Sequence, residues 1–146
     1  MRNRPLLIAI VGPTAVGKTK VAIELAKELQ TVVVSADSRQ FYREMSIGTA
    51  KPSPAEMAEV KHYFIDSHTV ADNLSAGDFE REALALLDRL FEKYELVVLV
   101  GGSGLFVDAL RQGLDDLPKP LEGVREKWNQ VFAEQGIEPL QEALAK

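Results

Sequence analysis

Eight residues, Gly12-Pro13-Thr14-Ala15-Val16-Gly17-Lys18-Thr19, match the pattern G-x-x-x-x-G-K-[ST] and constrain this chain more than anything else in it. They follow a continuous apolar run, Leu6–Val11, of the kind buried on both faces of a parallel sheet. After them, Val21, Ile23, Leu25, Ala26 and Leu29 recur with a mostly helical spacing over 18–29. Strand, glycine loop and helix in that order make a phosphate-gripping P-loop. Its backbone N–H groups and the helix N-terminus point at phosphate oxygens. Lys18 is expected to neutralise the terminal phosphates of a diphosphate or triphosphate, and Thr19 to place its hydroxyl on Mg²⁺.

A P-loop specifies an anion, not a reaction. An ATPase or GTPase usually adds an aspartate at the end of a hydrophobic strand to help hold the metal. The strand expected over 96–100 ends in Gly101-Gly102-Ser103 instead. The available acid is Asp37, in Ser35-Ala36-Asp37-Ser38-Arg39-Gln40, directly after a β-branched strand over 31–35. Strand C-termini of such a sheet open onto the ligand crevice, so Asp37 should face the phosphate end of the P-loop. A carboxylate there can hold metal through water or take a proton from an incoming nucleophile. An aspartate that merely caps a turn remains the alternative.

The order of elements calls for an α/β fold, a P-loop NTPase-like parallel sheet flanked by helices. A short helix is expected from Ser53-Pro54-Ala55-Glu56, which has capping-box spacing and proline at the first helical position. A strand is expected over 62–66, and a longer helix after Ser75 with Phe79, Ala83, Leu86, Leu87, Leu90 and Phe91 on one side. The helix after the second glycine cluster should end at Gly113. Two prolines at 118 and 120 then interrupt the chain, and only helical pattern follows, over 124–133 and 139–146. This places a boundary after 116, with a P-loop core over 1–116 and the start of a helical insertion over 117–146. The pattern stops without a cap, which suggests a truncated protein.

Composition limits the remaining possibilities. The 146 residues amount to about one domain. A net charge of −5 weighs mildly against a chain that lives by gripping nucleic acid backbone on its own. Without cysteine there are no disulfides or thiolate metal sites. No apolar run approaches the roughly 20 residues of a membrane span, and no signal peptide is legible, so no membrane partner and a cytoplasmic location are expected. His62 and His68 lack metal-ligand spacing. Phe41 and Tyr42 read as packing residues, while Lys51 is either a phosphate contact or a solvated surface group.

Five segments in sequence, GPTAVGKT at 12–19, SADSRQ at 35–40, IGTAKP at 47–52, SAGDF at 75–79 and GGSGLF at 101–106, strongly resemble the tRNA dimethylallyltransferase (tRNA isopentenyltransferase) family. The resemblance covers essentially the whole chain, and the middle segments are more specific than the P-loop. It implies transfer of a dimethylallyl group from dimethylallyl diphosphate to N6 of the adenosine beside the tRNA anticodon. The P-loop then holds a leaving diphosphate, in keeping with the missing strand-end aspartate. By resemblance, Asp37, Lys18 and Ser103 are catalytic, with Asp37 accepting from the attacking amine. Ser38, Arg39 and Gln40 would seat the flipped-out adenine and its neighbours, and Ser103 and Arg125 would touch the anticodon stem-loop. Ser103 stands where threonine is common and keeps the hydroxyl; Phe106 replaces a common tyrosine and loses one. A monomer is expected. Family members continue beyond this length, so this fragment is expected to be a poor transferase by itself. The rivals are an isopentenyltransferase acting on free adenine nucleotides, a P-loop small-molecule kinase using ATP, and a non-catalytic nucleotide-binding module.

Overall fold

The computed structural model describes residues 4–114 and 121–145, which divide into two units, Met1–Leu114 and Asp115–Lys146. The boundary expected after 116 falls outside the described residues. In the first unit the elements run β1 (Leu6–Val11), α1 (Lys18–Glu28), β2 (Val33–Ser35), α2 (Pro54–Glu59), β3 (His62–Tyr63), a 3₁₀ turn (Val70–Asp72), α3 (Ala76–Phe91), β4 (Leu96–Gly101) and α4 (Gly104–Gln112). The second contains α5 (Val124–Gln135) and α6 (Glu138–Leu144), with no strand among its described residues. Among the described residues no helix is long and apolar enough to cross a membrane.

All four strands are parallel, in the order β1-β4-β2-β3. Parallel neighbours need crossovers, and the helices that supply them cover both faces of the sheet. Side chains alternate across a strand, so each strand feeds two cores. Val34, Val97 and Leu99 enter one core with Phe79, Ala83, Leu87 and Leu90 of α3 and Val107 and Leu110 of α4. Val33, Val98 and Val100 enter the other with Ala22, Ile23 and Ala26 of α1. The continuous apolar composition of β4 follows from this, since five of its six residues are buried.

Two local features set the site's frame. Ser75 caps α3: its Oγ accepts the Asp78 N–H at 3.1 Å, and the Asp78 carboxylate accepts the Ser75 N–H at 3.1 Å. Replacing Ser75 by alanine is expected to cost about 1 kcal/mol. This should appear as a melting temperature lowered by about 3 °C in a thermal melt. Phe41 is fully buried, stacked on Phe79 with ring centroids 5.2 Å apart and in edge contact with Phe106 at 5.5 Å. Phe106, where the resemblance leads one to expect a hydroxyl, packs into this apolar cluster.

The strand expected over 62–66 is shorter than its composition suggests. Only His62 and Tyr63 pair, because Phe64 and Asp66 adopt left-handed backbone angles of 60° and 51° in φ, which no strand accommodates. Lys51 explains part of the bend. Its Nζ lies 2.6 Å from Asp66 Oδ1 and 2.5 Å from the Tyr42 carbonyl oxygen, and its side chain is 9% exposed. It is therefore no solvated surface lysine; it fastens the loop over 45–51 to the turn that ends β3.

Candidate active site

The C-terminal ends of β1, β2 and β4 meet at a cleft. Behind β1 the P-loop takes backbone conformations that belong to neither strand nor helix. Ala15 has φ 64° and Gly17 φ 95°, the latter immediately before α1. The left-handed region is open to glycine and costs a non-glycine residue energy, which surrounding structure has to offset. Lys18 and Thr19 begin α1, so their side chains and the helix's positive end share the cleft. Lys18 Nζ donates to the Pro13 carbonyl oxygen at 2.5 Å, folded over the loop.

Two adjoining hollows make up the cleft. One, of about 220 Å³, is walled by Thr14, Ala15, Gly17, Lys18, Thr19, Asp37, Gln40 and Ala50 together with the end of β4. The other, of about 280 Å³, is walled by Thr14, Asp37, Ser38, Arg39, Gly48, Thr49, Gly102 and Ser103. Thr14 and Asp37 belong to both. The carboxylate thus borders both the P-loop hollow, opposite Lys18, and its more polar neighbour. Gly102 marks the same spot: a methyl group there would lie 3.8 Å from Lys18 Nζ and 4.0 Å from Asp37 Oδ2. The lysine and the carboxylate converge on one small volume.

The residues after β2 form a fixed turn. Asp37 Oδ1 accepts the Arg39 N–H at 3.1 Å, and the Asp37 carbonyl accepts the Gln40 N–H at 3.0 Å. The turn is tied across the sheet to the start of α4, where Ser103 Oγ accepts the Ser38 N–H at 3.1 Å and donates to Ser38 Oγ at 3.2 Å. Ser103 stands at the N-cap of α4 but makes no side-chain bond to its own helix, leaving its hydroxyl to the turn.

Of the residues singled out in the sequence, Thr14, Ala15, Gly17, Lys18, Thr19, Asp37, Ser38, Arg39, Gln40 and Ser103 line these two hollows. Gly12 and Pro13 line a shallower recess with Gly101 and Gly102. Val16 is exposed on the loop. Arg125 stands on α5, in the second unit. Gln40 lines the first hollow, and it is buried and bonded at both ends. Sequence reasoning passed over Gly102 and Ser35. Gly102 lies inside the GGSGLF segment, but nothing in a string of glycines tells which one faces the lysine.

A family model described as IPP transferase matches residues 40–146. A tRNA dimethylallyltransferase from Flavobacterium johnsoniae is 49% identical over 138 residues, covering 94% of this chain and 45% of the relative. The crystal structure of a tRNA isopentenylpyrophosphate transferase from Bacillus halodurans superposes with a TM-score of 0.74 at 39% identity, covering 97% of this chain and 47% of that one. A second solved isopentenylpyrophosphate transferase, from Staphylococcus epidermidis, gives 0.70 at 34% identity, covering 90% and 43%. The chain spans about half the length of the curated relatives it matches. The matched relatives run through the P-loop, which the family model leaves out, and together they show that the chain belongs to the IPP transferase family.

Proposed function

We propose that this chain carries the reaction centre of an enzyme that moves a dimethylallyl group from dimethylallyl diphosphate to N6 of an adenosine beside the tRNA anticodon. The observation that carries the reading is the shared wall: Asp37 borders both the hollow with Lys18 and Thr19 and the hollow with Ser38, Arg39 and Ser103. The first suits an anion, because loop amides, a helix N-terminus and a lysine surround it. The second suits a nucleobase, being polar and opening beside the carboxylate.

In this reading the diphosphate sits on the P-loop, and its allylic C–O bond breaks as the N6–C bond forms. Lys18 and the loop amides stabilise the charge that grows on the departing diphosphate. Asp37 accepts the proton that N6 must lose. The adenine has to leave its stack for the amine to reach the carbon, and Ser38, Arg39 and Ser103 stand where such a base would enter. The Thr19 hydroxyl beside the lysine is an oxygen donor that fits a hard cation, whose remaining partners the diphosphate oxygens would supply. Bound Mg²⁺ would add charge neutralisation at the diphosphate. Residues 117–146 are read as the start of a helical tRNA-binding part, with Arg125 as a contact to the anticodon stem-loop.

The acceptor decides the matter. The full-length protein, incubated with labelled dimethylallyl diphosphate and separately with tRNA, AMP or ATP, is expected to label tRNA. Label on a free nucleotide, or phosphoryl transfer from ATP in place of prenyl transfer, would overturn the reading.

A further inference from the structure

Gln40 is 8% exposed, and its amide is bonded at both ends. Nε2 lies 3.2 Å from the Thr49 carbonyl oxygen and 2.9 Å from that of Ala50. Carbonyl oxygens only accept, so both amide hydrogens point at this loop and Oε1 faces the opposite way. There it meets Ser35 Oγ at 3.0 Å. Oε1 carries no hydrogen, so the Ser35 hydroxyl is the donor. With its single hydrogen committed, Ser35 Oγ uses a lone pair for the Asp37 N–H at 3.3 Å. Every donor and acceptor in the relay is thereby assigned: Asp37 amide to Ser35, Ser35 hydroxyl to Gln40, Gln40 amide to the loop.

The two ends of this relay are the two sides of the cleft. At one end stands Asp37. At the other, Ala50 adopts φ 50°, a left-handed geometry that a non-glycine residue keeps only when its surroundings hold it. Ser35 is 1% exposed and cannot touch a ligand, and both Gln40 amide hydrogens are in use. We propose that Gln40 is a positioning residue that sets the backbone of Asp37 against the loop over 49–50, and that it does not read the acceptor base. The proposal rests on the reading of Asp37 as the group facing the acceptor amine, and it replaces the expectation that Gln40 seats the adenine.

Two measurements on Gln40→Ala and Ser35→Ala test it. In hydrogen exchange on this chain, which needs no activity, the Asp37 amide should exchange about 10-fold faster in either variant. Amides of β4 should keep wild-type rates. In prenyl transfer by the full-length protein, kcat should fall by about 10-fold or more while the KM for tRNA stays within about twofold. The double variant should be no worse than either single, because both cut one relay. Where Gln40→Ala fails to fold, Ser35→Ala carries the measurement. Unchanged exchange at Asp37 would overturn the proposal, as would a raised KM for tRNA with kcat retained. If the wild-type protein transfers no prenyl group to any acceptor, the functional reading fails, and the exchange measurement alone decides whether the relay holds Asp37.

Discussion

Exchanging Asp37 for asparagine is expected to slow prenyl transfer by about 10²- to 10⁴-fold, while the protein still binds Mg²⁺–pyrophosphate within a few-fold of wild type. Asparagine keeps an oxygen where Oδ1 accepts the Arg39 N–H, so the turn after β2 survives. What it removes is the ability to take a proton. An exocyclic adenine amine is a weak nucleophile, because its lone pair is shared with the ring, and it gains a positive charge as the new C–N bond forms unless a proton leaves. A base placed beside it acts only in the transition state, so the loss should appear in kcat. Single-turnover kinetics at saturating substrates, with calorimetry for pyrophosphate, check the two halves. Retained turnover with lost pyrophosphate affinity would instead assign Asp37 to the metal, the other role open to a carboxylate at this place.

The second large effect concerns folding. A methyl group on Gly101 would lie 2.5 Å from the Ala36 carbonyl oxygen and 2.7 Å from its carbon. Ala36 is fully buried, and its N–H donates to the Val100 carbonyl at 2.7 Å, so this backbone cannot step aside cheaply. Gly101→Ala is expected to cost about 3 kcal/mol or more, seen as a melting temperature roughly 10 °C lower. The neighbouring Gly102→Ala is the control. Its nearest contact would be the Gly12 carbonyl oxygen at 3.4 Å, a tight but adjustable approach, so stability should change little. A Gly101→Ala protein melting within about 2 °C of wild type would show that β4 and the β2 turn are not as tightly apposed as the structure has them.

Which parts of this molecule were legible depended on whether their cause was local. β1, the P-loop and β4 could be read directly, because an apolar run and a glycine pattern are written in consecutive residues. The caps at Ser53 and Ser75 were legible for the same reason, each a three-residue relation. The end of β3 was not. Its apolar composition says strand, whereas Phe64 and Asp66 turn left-handed in a segment fastened by Lys51, fifteen positions away from Asp66. For Lys51 the sequence left a phosphate contact and a solvated surface group both open, because the acidic partner that buries it is not a sequence neighbour. Gln40 sits in a segment whose family resemblance points to the acceptor, yet its bonding partners lie nine and ten positions on. Ser103 and Ser38 meet across 65 residues. Asp37 could be placed because strand ends open onto the crevice, a rule of topology and not of local sequence.

Strand β2 has three residues. Val33 and Val34 enter opposite cores, and Ser35 holds the hydroxyl that receives the Asp37 amide. A slip of one position would push each valine toward the wrong side of the sheet and put an aliphatic group where that hydroxyl stands. Oil therefore chooses the address of the acid: two valines buried in opposite cores decide where the Asp37 carboxylate comes to rest.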